Sequence, residues 1–239
     1  MSLSGPIEVR QIAESPSQAT VEVHVRPLAS LPGTDSRALA ATLKSVLSPS
    51  LFLLHHPRTL VQFVGQALCA NDARNHFSGV GRGWHASLVA SLINASSAAL
   101  VNASSIPMRG VVCAAAVGRV LEAEDDAIAP TLILDPAESE LGSLSGGGCF
   151  AFLFSSTLPT LLPVAPDTPP ASLLWTNYAV AGGSFTAEEF ETAHTLALSG
   201  AICVWQALKD SLCARSEPFA AETASKEPEH VLDDEKMEI

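Results

Sequence analysis

Apolar and polar side chains alternate where Val21, Val23 and Val25 stand against Glu22, His24 and Arg26. That is the period of a strand with one buried face, and it predicts a strand over Ala19–Arg26, preceded by a short one over Gly5–Val9. The period then changes. Leu39, Leu43, Val46 and Leu47 recur at helical spacing, which predicts a helix from about Ser36 to Leu47, with Asp35 as its N-cap and Pro49 ending it. Arg58–Cys69 is rich in β-branched and aromatic residues, but Leu60, Phe63 and Val64 break the alternation. It reads as a strand covered on both faces. Asn71–Gly83 reads as a polar loop leading into a long helix, Trp84–Ser104, whose many Ala and Ser residues allow close approach to neighbours and mark it as the central buried helix.

Further strands are predicted at Arg109–Leu121, Thr131–Leu134, Cys149–Ser155 and Leu173–Val180. Gly146-Gly147-Gly148 reads as a turn before the third of these, and Leu158–Pro170, with five prolines, as a surface loop. Thr186-Ala-Glu-Glu189 has the pattern of a capping box, opening a helix to about Cys213. Roughly seven strands and three helices in mixed order give an α+β domain.

Composition narrows this picture. Of 239 residues, 47% are hydrophobic, enough for a sizeable core and too many for general disorder. No apolar run approaches the roughly 20 residues a membrane span needs, and Met1–Arg10 has no secretory-signal pattern. Thirteen basic against 25 acidic residues give a net charge of −12, which excludes a surface that coats nucleic acid generally and leaves only a local basic patch. The five cysteines (69, 113, 149, 203 and 213) form no C-x-x-C pair and sit beside apolar neighbours, so they are expected as buried free thiols. Residues 214–239 carry eight acidic and three basic side chains without apolar periodicity, and are expected as a disordered acidic tail.

Candidate chemistry is sparse. The histidines (24, 55, 56, 76, 85, 194 and 230) are not spaced for zinc, and there is no P-loop and no G-x-S-x-G. Ser78-Gly-Val-Gly-Arg-Gly-Trp84 precedes a helix. It reads either as an anion site using the helix N-terminus and Arg82, or as a tight turn that seats the helix. Asp135, Glu138 and Glu140 read either as a solvated turn or as carboxylates for Mg2+ or general-base work.

Several segments, in order, resemble the RNase PH family, in the branch that supplies ring subunits of the RNA exosome. They are Gly5-Pro-Ile-Glu-Val-Arg10, Ala19-Thr-Val-Glu-Val-His-Val-Arg-Pro27 and His56-Pro-Arg-Thr-Leu-Val-Gln62 with Gln66. Leu92-Ile-Asn-Ala95, Ile106-Pro-Met-Arg-Gly110, Leu132-Ile-Leu-Asp-Pro136 and Phe185-Thr-Ala-Glu-Glu-Phe190 continue the series. The resemblance implies an RNase PH fold of the ribosomal-protein-S5-domain-2-like type over residues 5–213, with halves of about 5–122 and 128–213. It also implies about two strands before the segment matching Gly5, near which this sequence begins, so that either its start is truncated or the first sheet is missing an edge. It implies a subunit of the exosome core ring, in the nucleus with its nucleolus and in the cytoplasm. Other RNase PH-like subunits, S1/KH cap subunits and single-stranded RNA threaded through the ring would be its partners.

Two departures bear on activity. Active members open the central helix with Gly-Gly-Thr-Arg-Thr-Ala, whose arginine grips phosphate. Here the matching stretch is Gly81-Arg-Gly-Trp-His-Ala86, with Trp84 at the arginine's position and Arg82 two residues away. An indole cannot replace a bidentate cation. Active members also carry a second catalytic aspartate beyond the one matching Asp135. Its position falls in Leu141–Gly148, which contains no acid. The expectation is a subunit with no catalytic residue, no metal and no cofactor, and with Arg58, Arg74 and Arg82 as candidates for RNA contact. The rivals are an active phosphate-dependent 3′–5′ exoribonuclease and a small-molecule kinase on the same superfold, for which Gly79–Gly83 would have to serve as nucleotide loop.

Overall fold

The computed structural model describes residues 1–28, 32–68, 86–120, 130–158, 167–181 and 183–224. Among the described residues, eight strands and three α-helices follow in the order β1 (Ser2–Glu8), β2 (Thr20–Arg26), α1 (Thr34–Leu47), β3 (Thr59–Gln66), α2 (Ala86–Ala103), β4 (Val111–Val120), β5 (Thr131–Leu134), β6 (Leu144–Phe154), β7 (Ala171–Thr176), β8 (Ala179–Val180) and α3 (Ala187–Ala224). The first three strands form one sheet in the order β1-β3-β2, with β3 antiparallel to β1 and parallel to β2. The second sheet runs β5-β4-β6-β7, with β8 also paired to β6, all antiparallel. β4, in the first expected half, pairs with β5 and β6 of the second.

Helices α1 and α2 pack between the two sheets. Leu39, Leu43 and Val46 of α1 and Val89, Leu92 and Ile93 of α2 share one core with Val25 of β2, Ala114 of β4 and Ala151 of β6. Helix α3 covers the opposite face of the second sheet, where Ala193, Ala197 and Ala201 lie fully buried against Cys113, Phe150 and Phe152. With a helix on each face, β4 is buried from Val112 to Arg119, which explains its run of small apolar residues. Burial in β3 does alternate: Val61, Phe63 and Gly65 are buried while Leu60, Gln62 and Val64 are half-buried, so its two faces are unequal after all.

Local chemistry corrects other expectations. Gly33 caps α1, and Asp35 sits inside the first turn, where its charge suits the helix dipole. Thr186 does cap α3: its Oγ1 accepts from the Glu189 amide at 3.1 Å. That helix continues past Cys213 to Ala224, through a stretch whose Ala and Glu residues favour helix despite its acidity; residues 225–239 of the expected tail lie outside the described residues. The predicted strand Leu173–Val180 is two strands, interrupted where the Asn177 Oδ1 accepts from the Cys149 amide at 2.7 Å.

The glycine triplet is no turn: all three residues lie within β6. A Cβ on Gly147, whose φ is +141°, would stand 2.3 Å from the Val117 carbonyl oxygen, and one on Gly148 would stand 2.5 Å from Tyr178 Cα. Glycine is needed because neighbouring backbones close on this strand from both sides. Gly147→Ala should therefore cost about 3 kcal/mol or more. Gly142→Ala, where an added Cβ meets nothing within 4 Å, should cost well under that. Equilibrium urea unfolding of the two variants checks the difference.

Candidate functional site

Of the residues tied to phosphorolytic chemistry, Asp135 is described, and it stands at the end of β5, one residue before a contact with the start of α2. Asp135 follows β5 directly, exposed and with φ +48°, a left-handed conformation that Asp tolerates better than most residues. Its amide donates to the Ala116 carbonyl at 2.8 Å, which extends the β5–β4 pairing by one bond. Pro136 beyond it is buried, and its carbonyl lies 3.5 Å from the Ser87 hydroxyl in the first turn of α2. The Glu140 carboxylate accepts from the Ala137 amide at 2.8 Å and caps the 3-10 segment Glu138–Ser143, so Glu140 serves the turn. Among the described residues no group of three His, Cys, Asp or Glu side chains could hold a metal ion.

The segment where a second acid would stand, Leu141–Gly148, enters β6, where Gly147 and Gly148 are locked against neighbouring backbone, whereas Gly142 before the strand stands in open space. Asp135 therefore has no carboxylate partner from that segment. Of the three arginines singled out, only Arg58 is described; Arg74, Arg82 and Trp84 lie outside the described residues, as does the glycine segment around them. Arg58 also has a left-handed backbone, at φ +60°. Its amide donates to the Ser15 carbonyl at 3.1 Å, and its Nε lies 3.3 Å from Glu14 Oε1 in a solvent-exposed ion pair. Such a pair contributes about 0–1 kcal/mol, so it anchors the loop weakly. His55 and His56 lie at the end of a 3-10 turn.

Sequence reasoning missed a buried polar cluster. Arg119 on β4 and Glu189 on α3 are both nearly inaccessible, with Nε 2.9 Å from Oε1 in an ion pair out of line with the N–H direction. The Arg119 Nη1 donates to Ser145 Oγ at 3.2 Å, and the Tyr178 hydroxyl donates to Glu189 Oε1 at 2.6 Å. Burial first, then the bond to Glu189, raises the Tyr178 pKa above the usual phenol range. The available signal was the lone Arg119 in an apolar strand, because a buried charge demands a partner. The cluster joins β4, β6, the β7–β8 connection and α3. It holds α3 in register and lies among residues with no other chemistry.

Cys113 and Cys149 are buried, whereas Cys203 and Cys213 are exposed on α3, contrary to the expectation for all five; Cys69 lies outside the described residues. A helix leaves part of its surface to solvent even where its sequence neighbours are apolar. Burial pushes both inner thiols up to about 12, with the Asp135 charge adding to the effect at Cys149.

Two sheets with helices between and outside them, built in this order, make the RNase PH fold. The chain matches the crystal structure of rice (Oryza sativa) Rrp46 with a TM-score of 0.63 at 22% identity, covering 88% of this chain and 81% of that one. In sequence it is 28% identical over 140 residues to exosome complex component RRP46 of Saccharomyces cerevisiae, covering 59% of this chain and 56% of the yeast protein. It is 35% identical over 60 residues to exosome complex component rrp46 of Schizosaccharomyces pombe, covering 25% and 26%. The chain thus spans little more than half the length of the first of these relatives and about a quarter of the second. No family model matches it. In sequence and in fold the chain is Rrp46-like.

Two outcomes test the local chemistry. Glu189→Leu and Arg119→Met should each destabilise the fold by about 3–5 kcal/mol, and the double replacement should recover much of the loss, because the penalty lies in stranding one buried charge. Thermal and urea unfolding of the double-mutant cycle reads this. At pH 8 a thiol-specific disulfide reagent should label Cys203 in the native chain, and Cys113 and Cys149 only after denaturation. Because folding raises the two inner thiols, their contribution is intact below about pH 9. It is lost as pH rises toward about 12, so stability should fall through that window.

Proposed function

We propose that the chain is a non-catalytic RNase PH-like subunit of the RNA exosome core ring, supporting 3′–5′ RNA processing and degradation, rRNA maturation included. One observation carries the absence of catalysis. The segment where the second acid would stand, Leu141–Gly148, holds no acid, and Gly147 and Gly148 within it leave no room for a Cβ, so Asp135 has no carboxylate partner from that segment. The Rrp46-like sequence and fold support the ring assignment. The partners that follow from it are other RNase PH-like ring subunits, S1/KH cap subunits and single-stranded RNA passing through the ring, in the nucleus, nucleolus and cytoplasm. RNA contact would be local and electrostatic, with Arg58, Arg74 and Arg82 as its candidates on a chain of net charge −12.

Purified chain given single-stranded RNA and inorganic phosphate should release no nucleoside diphosphates. Release that disappears in Asp135→Asn would establish the phosphorolytic exoribonuclease instead. Affinity purification of the tagged chain followed by mass spectrometry should recover RNase PH-like and S1/KH subunits together. Recovery of neither would remove the ring assignment.

A further inference from the structure

On the α1 side of the first sheet, away from Asp135, two adjoining hollows of about 430 and 270 Å3 share Gln18, Ser48, Pro49 and Leu53 and form one open groove. Lys44 lines one hollow and Arg109 the other. No carboxylate lines either, although acids outnumber bases 25 to 13 in the chain. Both cations are exposed, and among the described residues neither has a carboxylate within ion-pair distance. Glu14, next in sequence to the groove, is already paired with Arg58.

The groove is built from paired backbone. The Ala19 amide donates to the Leu53 carbonyl at 2.9 Å, joining its two walls. The Arg109 amide donates to the Ser50 carbonyl at 2.8 Å and the Phe52 amide to the Pro107 carbonyl at 3.0 Å, so the Arg109 backbone is fixed beside the floor. Pro49, Leu51, Leu53 and Leu54 supply apolar surface, and Leu54 is 66% exposed. Leu54 thus adds to the apolar wall that Pro49, Leu51 and Leu53 form along the concave floor.

We propose that this groove docks an extended protein segment carrying alternating acidic and aliphatic side chains. Charge complementarity sets the acidic half of that pattern: two cations without carboxylate partners, in a groove free of acids, favour an anionic occupant. The aliphatic half follows from the leucine and proline walls. A nucleic-acid strand fits less well, because stacking needs an open aromatic face. The Phe52 ring already has the Arg109 guanidinium 5.1 Å from its centroid and the His55 ring stacked at 5.4 Å.

The test is a fluorescence anisotropy titration of the full chain with three labelled probes: a twelve-residue Leu-Glu repeat peptide, its Leu-Lys counterpart and a twelve-nucleotide oligouridylate. The Leu-Glu peptide should bind saturably and lose affinity as salt rises, and the Leu-Lys peptide should not bind. The Lys44→Glu/Arg109→Glu variant should bind the Leu-Glu peptide at least tenfold more weakly with its circular dichroism unchanged. If that variant unfolds, Lys44→Glu and Leu54→Asp, both at exposed positions, should each weaken binding severalfold. Absence of saturable binding, or binding that survives these changes, overturns the proposal. Oligouridylate binding that the charge reversals abolish would make the groove an RNA site. Dimerisation by light scattering that Leu54→Asp abolishes would make it a contact between copies. Either result also overturns the proposal.

Discussion

The backbone of β4 between Val112 and Ala116 has a strand on one side only, and the structure depends on how the other side is paired. Antiparallel β6 runs along the whole strand, but β5 reaches only Val117–Val120. The carbonyls of residues 112, 114 and 116 would be buried without partners. Helix α2 supplies them: Asn94 Nδ2 donates to the Ala114 carbonyl at 2.8 Å and its Oδ1 accepts from the Ala114 amide at 2.7 Å, while the Ser97 hydroxyl donates to the Val112 carbonyl. The Asp135 amide takes the Ala116 carbonyl. A buried, unpaired backbone group costs about 1–3 kcal/mol, so these side chains do the work of a missing strand. They also fix the azimuth of α2, and with it the position of the helix start beside Pro136.

This pairing explains which parts of the fold were legible in the sequence. The second strand could be read because its environment imposes a period on neighbouring residues. The Ala- and Ser-rich central helix was legible as buried, but Asn94 and Ser97 could not be assigned to β4, whose contact with them spans about one helix length of chain. The glycines of β6 were misread for the same reason. Their cause is the lateral approach of Val117 and Tyr178, which are distant in sequence, whereas composition alone treats consecutive glycines as a break. Burial in β3 was obscured because Leu60 and Val64 are half-covered, so hydrophobicity there marks both faces although only one is sealed.

The candidate site was partly legible. Asp135 was found through its place after an evident strand, and the turn role of Glu140 was one of the two readings the sequence left open. The buried Arg119–Glu189 pair was not found, since each residue has an ordinary explanation by itself: an edge charge for one and a capping residue for the other. Thr186 does cap the helix, but the Glu189 carboxylate is drawn inward to Arg119 and Tyr178. One helix terminus thus satisfies its own orphan amide and also carries a charge into the sheet below it.

The order of strands in the first sheet has a consequence for a chain made from its N-terminus. β1 and β2 are consecutive in sequence, yet they are not paired with one another; each pairs with β3 between them. Until residue 66 has left the ribosome, two strands and the helix between β2 and β3 have no sheet to join. The apolar faces of β2 and α1 must then shelter against one another, or against a chaperone, while they wait. The strand that arrives last is the one every other part of that sheet needs, so an error in β3 would be felt before any of the second sheet exists.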